Sequence, residues 1–250
     1  MTHDLIEVFE ARNSIISCVG AGGKKTIMFR LAEAHPGRVG ITATAHIEFF
    51  PKSVRAKSYI ADEPELLQAI KNDQISDKIA FAKPSSRFGR RAGISLDAVK
   101  QFREAGNFDL LVIKADGARG RFIKAPAEHE PVISPETDII IPVVSAKVIG
   151  LPLNNDIAHR VELISQVCDL KQEGQIKPLH IARLLSSSSG LLKNTENKKV
   201  IPVINMVDSP ELEILAREAA KEALNFSDRF DKVVLASMKQ EECISDIVTR

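Results

Sequence analysis

Apolar residues along the chain gather in short β-branched runs, separated by stretches with helical spacing. The runs "SIISCV" (14–19), "RVGITAT" (38–44), "KIAFA" (78–82), "FDLLVIKA" (108–115), "TDIIIPVV" (137–144), "KVIPVIN" (199–205) and "KVVLAS" (232–237) predict strands. Several are almost continuously apolar, as strands are when both faces of a parallel sheet are covered. Ile27, Leu31 and Ala34 then repeat at helical steps before "HPG" stops the pattern. Leu66, Leu67 and Ile70 mark a second helix, Leu96, Val99 and Phe102 a third, and Val161, Ile164 and Val167 a fourth. "SPELEILAREAAKEAL" starts with Ser209 as N-cap and Pro210 at the first helical position. Alternation of this kind predicts an α/β fold, a mostly parallel sheet flanked by helices. Residues 151–198 break the alternation, being mostly helical with a serine run at 186–189, and are expected as a helical insertion within one domain spanning 1–250.

In an open parallel sheet, ligands bind beyond the carboxyl ends of the strands. After the first run comes Gly20-Ala21-Gly22-Gly23-Lys24-Lys25-Thr26, and after the second Thr42, Thr44 and His46. "KADGARGRFIKAPAEHEP" follows the fourth, with Asp116, Arg119, Arg121, Lys124, Glu128 and His129. Asn205 and Asp208 end the sixth and Ser237 the seventh.

The glycine stretch has the parts of a phosphate-binding loop. Glycines let successive N–H groups turn toward one anion, the following helix adds its dipole, and Lys24 stands where a lysine reaches the β- and γ-phosphates. The full pattern G-x-x-x-x-G-K-[ST] is not met, because Cys18 replaces the first glycine and Lys25 the hydroxyl residue, leaving Thr26 one place late. A plain strand-to-helix turn, with glycines serving close packing, is the competing reading. Asp116, at the end of a buried strand, suits Mg²⁺ held opposite a phosphate loop, or else an ordinary Asp-Gly turn. Arg119, Arg121 and Lys124 suit a transferring phosphoryl group or an anionic substrate, or else a solvated charged loop. Asn205 and Asp208 have the spacing that reads a guanine edge, although Met206 replaces the usual lysine, and they equally suit caps of the next helix. His46, His129 and His159 have no metal-ligand spacing, while His159 and Arg160 open a predicted helix near the site.

Composition narrows the setting. Thirty-four Lys and Arg against 33 Asp and Glu leave a net charge of +1, so no global field recruits nucleic acid or a membrane, and an anion must be held locally. Three scattered cysteines fit a reducing compartment, and no apolar run approaches the roughly 20 residues of a membrane span. The N-terminal segment carries acids and does not read as a secretory signal, so a cytoplasmic location is expected.

The chain resembles the YqeC family of selenium-dependent molybdenum hydroxylase accessory proteins. The likeness rests on "VGAGGKKT", on "ADGARGRFIKAPAEHEPVI" with the following T-x-x-x-x-P-V-V, on "HR" at 159–160 and on the late N-x-V-D, together spanning residues 19–208. It implies a P-loop-NTPase-like nucleotide-binding protein acting in the maturation of such hydroxylases. Two departures stand out: Lys25 takes the place of a threonine, and Lys114 that of a glutamate. They imply weaker metal dependence, lost hydrolysis, or lysine charge standing in for part of a cation.

Three functions follow as expectations. The first is a maturation enzyme that hydrolyses ATP or GTP with Mg²⁺, or transfers its phosphoryl group. Gly20 to Thr26 would hold the phosphates, Thr26 and Asp116 the metal, and Arg119 or Lys124 would face the transferring group. The second is a nucleotide switch or chaperone module without turnover, with the hydroxylase or other maturation proteins as partners. The third is a scaffold that binds no nucleotide.

Overall fold

A computed structural model describes residues 3–250. In chain order the elements are α1 (Leu5–Val8), β1 (Ser14–Gly20), α2 (Lys24–Ala34), β2 (Val39–Ala43), β3 (Lys57–Ile60), α3 (Glu63–Asn72), β4 (Lys78–Ala82), α4 (Ala98–Gly106) and β5 (Leu110–Lys114). There follow β6 (Ile123–Lys124), β7 (Ile139–Ser145), β8 (Ala158–His159), α5 (Val161–Cys168), α6 (Pro178–Ser186), β9 (Lys199–Val200), β10 (Val203–Asn205), α7 (Pro210–Phe226), β11 (Lys232–Ala236) and β12 (Ile244–Thr249). The main sheet runs β12-β11-β10-β7-β1-β5-β2-β4-β3, with β9 also paired to β7. All its pairings are parallel except β11 with β12. The α/β fold expected from the hydrophobic pattern is the one observed.

Each apolar run is buried because its alternate residues meet helices on opposite faces. On β1, Ile16 and Cys18 join Ile27, Met28 and Leu31 of α2, whereas Ile15 packs with Leu66 and Ile70 of α3 and Val99 and Phe102 of α4. Farther along, Val233 and Leu235 of β11 face α5, α6 and α7, while Val234 and Ala236 face the α2 side. Each fully buried Leu or Ile side chain contributes about 1.5–3 kcal/mol. Residues 151–198 carry α5 and α6, whose Ile164, Ile181, Leu184 and Leu185 share a core with Ala216 and Ala220 of α7.

The run 199–205 divides into β9 and β10 because Pro202 has no N–H to donate, so ladder bonds to β7 resume beyond it. The edge strands β3 and β12 are too exposed to show as apolar runs. The register aligns the carboxyl ends: Cys18 and Ala43 both pair with Lys114, Gly20 with Val143, and Asn205 with Ser145 and Ala236.

Candidate functional site

β1 ends in a loop that the rest of the edge grips. The Gly20 N–H donates to Asp116 Oδ2 at 2.9 Å, Ala21 N–H to Val143 O at 2.9 Å, and Gly22 N–H to Arg121 O at 3.2 Å. Asn205 Nδ2 donates to Gly22 O at 2.8 Å. Gly20 and Gly23 have φ of 90° and 119°, and a Cβ on either would lie 2.2 Å from Val143 O or Asn205 Nδ2. Both the backbone conformation and the close approach therefore require glycine.

Beyond the loop, α2 begins with Gly23 as an N-cap that has no side chain, and no acid stands in the first turn. The first helical bond runs from Ile27 N–H to Gly23 O at 3.1 Å, so the amides of Lys24, Lys25 and Thr26 precede the ladder. Gly22 to Thr26 line a cleft of about 780 Å³ at the carboxyl edge. Its other walls come from Thr44 to His46, Glu48, Arg87, Arg90, Lys114, the loop 117–122, His129, Glu130, His159, Arg160 and Met206. Eight of the lining residues are Lys or Arg (Lys24, Lys25, Arg87, Arg90, Lys114, Arg119, Arg121 and Arg160) and two are glutamates. Unpaired amides and that many basic side chains are the features that suit a cleft to an anion.

A buried charge network lies under the loop. Lys24 Nζ donates to Gly20 O and sits 2.9 Å from Asp116 Oδ1, an ion pair off the angle of a hydrogen bond. Burial pushes the Lys24 ammonium below its usual range, against the pull of Asp116. Lys124 Nζ lies 2.9 Å from Asp116 Oδ2 and 2.6 Å from Glu130 Oε2, and donates to Gly117 O at 2.7 Å. Arg160 Nη1 also reaches Glu130 Oε2, at 2.6 Å. Burial alone would raise the Glu130 carboxyl, but hydrogen bonds from Arg160 and Lys124 override it and hold it at about 2. His159 is pushed down to about 4 by burial and by Arg160, Lys124 and Arg119, so it is neutral at pH 7.

The structure places the expected residues unevenly. Gly22, Gly23, Lys24, Lys25, Thr26 and Arg119 line the cleft, and so do His159 and Arg160. Lys124 does not face a transferring group: it is 1% exposed, because β6 pairs with β8 and turns its side chain under the cleft onto Asp116 and Glu130. Asn205 is buried beneath the cleft lining, with Nδ2 on the glycine loop and Oδ1 accepting from Met238 N–H at 3.3 Å, so it positions the loop. Asp208 lies outside the cleft, 2.7 Å from Lys147 and accepting from Ser237 Oγ. Those two hydrogen bonds hold its carboxyl below the ordinary range. Ala21 and Gly20 shape the loop from below. Thr42 Oγ1 is spent on Phe81 O at 2.7 Å.

Magnesium was expected on Thr26 and Asp116. Thr26 reaches the cleft, but Asp116 is 1% exposed and both its oxygens are held by lysines. The donor set does not fit the ion. Thiol chemistry has no support either, since burial pushes Cys18 and Cys168 up to about 12.

Sequence reasoning missed Arg87, Arg90 and Glu48. Lys25 pairs with Glu48, and Arg90 lies 2.9 Å from the same carboxylate, closing one side of the cleft. The signal was the basic stretch "SSRFGRRAG" after the run 78–82, at the same sheet edge.

Lys114 lines the cleft and donates to His46 O at 2.6 Å. Burial, with Lys24, Lys124 and Lys25 nearby and only Asp116 opposing, pushes it from 10.5 to about 7. The folded state therefore binds this proton less tightly than the unfolded chain, and that deficit makes stability rise as pH climbs from about 7 toward 10.5. Lys114→Met should stabilise the protein by about 1–3 kcal/mol at pH 7, an advantage that shrinks toward pH 10. Thermal melts of both proteins across that range check it, and an advantage growing with pH would contradict the assignment.

The fold and site define an α/β protein of P-loop-like build, with a basic cleft at the carboxyl edge of a mostly parallel sheet. The family profile described as YqeC protein matches residues 16–162, a stretch holding the glycine loop, Asp116, Glu130 and Arg160 but ending before Asn205. The chain is also 30% identical over 188 residues to "Uncharacterized protein YqeC" of Escherichia coli (strain K12), covering 74% of this chain and 72% of that protein. It belongs to the YqeC family. Among the described residues, no helix is long and apolar enough to cross a membrane.

Proposed function

We propose that the cleft binds the polyphosphate of ATP or GTP, and that the protein acts as a nucleotide-binding accessory factor in maturation of selenium-dependent molybdenum hydroxylases. The observation carrying this reading is the uncapped first turn of α2, which opens into a cleft lined by eight basic residues. Lys24, Lys25 and the amides of Gly23 to Thr26 would hold the phosphates, and Arg119, on the neighbouring loop that also lines the cleft, would add charge to them. The hydroxylase-maturation setting, with the hydroxylase or another maturation protein as partner, is what the resemblance set out in the sequence analysis implies.

A second reading, a nucleotide switch without turnover, is favoured by the commitment of both cleft carboxylates. Glu130 is held by Lys124 and Arg160, and Glu48 by Lys25 and Arg90, so neither is free to activate a water. Phosphate release no greater than that of a Lys24→Ala control would select the switch.

Thermal melts with a nucleotide panel test the proposal. ATP or GTP at about 100 times its Kd should stabilise the protein by about 2.7 kcal/mol. Asn205→Ala, by loosening the glycine loop, should weaken ATP and GTP equally; a loss confined to GTP would restore the guanine-reading role. No shift with any nucleotide would sink the proposal.

A further inference from the structure

We propose that this cleft takes its polyphosphate free of magnesium, with lysine ammonium groups in the place that a divalent cation occupies in other phosphate-loop sites. The class of ligand rests on the reading above; the exclusion of the metal rests on the donor set alone.

Magnesium is a hard cation that needs carboxylate or other oxygen ligands in an octahedral shell. The carboxylate under the loop is Asp116. Its Oδ2 receives Gly20 N–H and Lys124 Nζ, each at 2.9 Å, and its Oδ1 has Lys24 Nζ at 2.9 Å. Glu130 and Glu48, the carboxylates on the cleft wall, are each shared by two basic side chains.

The residue after the loop lysine is Lys25, which stands in sequence where a metal-binding hydroxyl would, its ammonium held at the cleft wall by Glu48. Were Lys24 to swing onto a phosphate, the freed Asp116 oxygen would still lie beside Lys124, close to Lys114. A divalent ion there is repelled by the ammonium groups that attract a polyphosphate. Lys124 keeps Asp116 neutralised from below, so Lys24 can leave it without stranding a buried charge.

Calorimetric titration of the full chain with ATP, GTP and sodium tripolyphosphate, in EDTA and in excess Mg²⁺, tests the proposal. Nucleotide affinity should change by less than about threefold between the two conditions, and tripolyphosphate should bind in EDTA. A loss of about tenfold or more on chelation would overturn metal-free binding and leave the nucleotide reading standing. Tripolyphosphate binding in EDTA without binding of either nucleotide would do the reverse. No binding of any probe would overturn both. Lys25→Thr, which restores a hydroxyl and removes a charge, should weaken binding in EDTA about tenfold and regain part of it with Mg²⁺. Affinity in EDTA equal to that of the wild type would overturn the substitution of lysine charge for the metal.

Discussion

Lys24→Ala is expected to weaken binding of ATP, GTP and tripolyphosphate about 100-fold, a loss of about 3 kcal/mol. Lys24 is the one lysine at the first helical position after the glycines, and its Nζ is now parked on Gly20 O and Asp116. A phosphate arriving at the amides of Lys24 to Thr26 offers that ammonium a stronger, doubly charged partner. The fold should survive the change, since Asp116 keeps Lys124 and the Gly20 N–H. Calorimetry reports the affinity and a thermal melt the fold. A variant that melts within a few degrees of the wild type yet binds as tightly would remove Lys24 from the site.

Lys124→Met should act on stability instead. Its Nζ serves Asp116, Glu130 and Gly117 O at once, and it is among the largest fully buried side chains. Removing it takes one of two cations from each carboxylate, with Asp116 keeping Lys24 and Glu130 keeping Arg160, and leaves Gly117 O without its donor, which costs about 3 kcal/mol. For a chain of this size that lowers Tm by about 10 °C. Adding Glu130→Gln to Lys124→Met should deepen the loss, because Glu130 still holds Arg160 at 2.6 Å and the second change takes that partner away. Differential scanning calorimetry on the single and double variants decides the matter. A Lys124→Met protein with wild-type Tm and impaired phosphate chemistry would return Lys124 to the catalytic role that its position in the sequence suggested.

The contrast between these lysines shows where the sequence is legible. Lys24 follows glycines after an apolar run, and that local order alone places it at a helix start. Lys124 lies in "GRFIKAP", where nothing local says which way it points. Only the pairing of β6 with β8, between segments more than 30 residues apart, turns it inward. Asn205 is similar: the end of its strand was readable, but its bond to Gly22 O spans 183 residues. The cleft wall at Arg87 and Arg90 follows from the same carboxyl-edge rule, since it comes after the run 78–82 and β4 lies two places from β5.

By itself the sequence determined the layered α/β plan and the edge at which chemistry collects, because hydrophobic periodicity and glycine-lysine order are local properties of the chain. Tertiary structure alone decided which charges are free. Arg87 and Arg119 reach the cleft without a carboxylate partner, Lys25 and Arg90 share Glu48 on its wall, and Asp116 and Glu130 are neutralised by Lys24, Lys124 and Arg160 beneath or beside it. Whether a charged side chain pairs or stays open depends on the strands and loops that pack around it, and those come from distant parts of the chain.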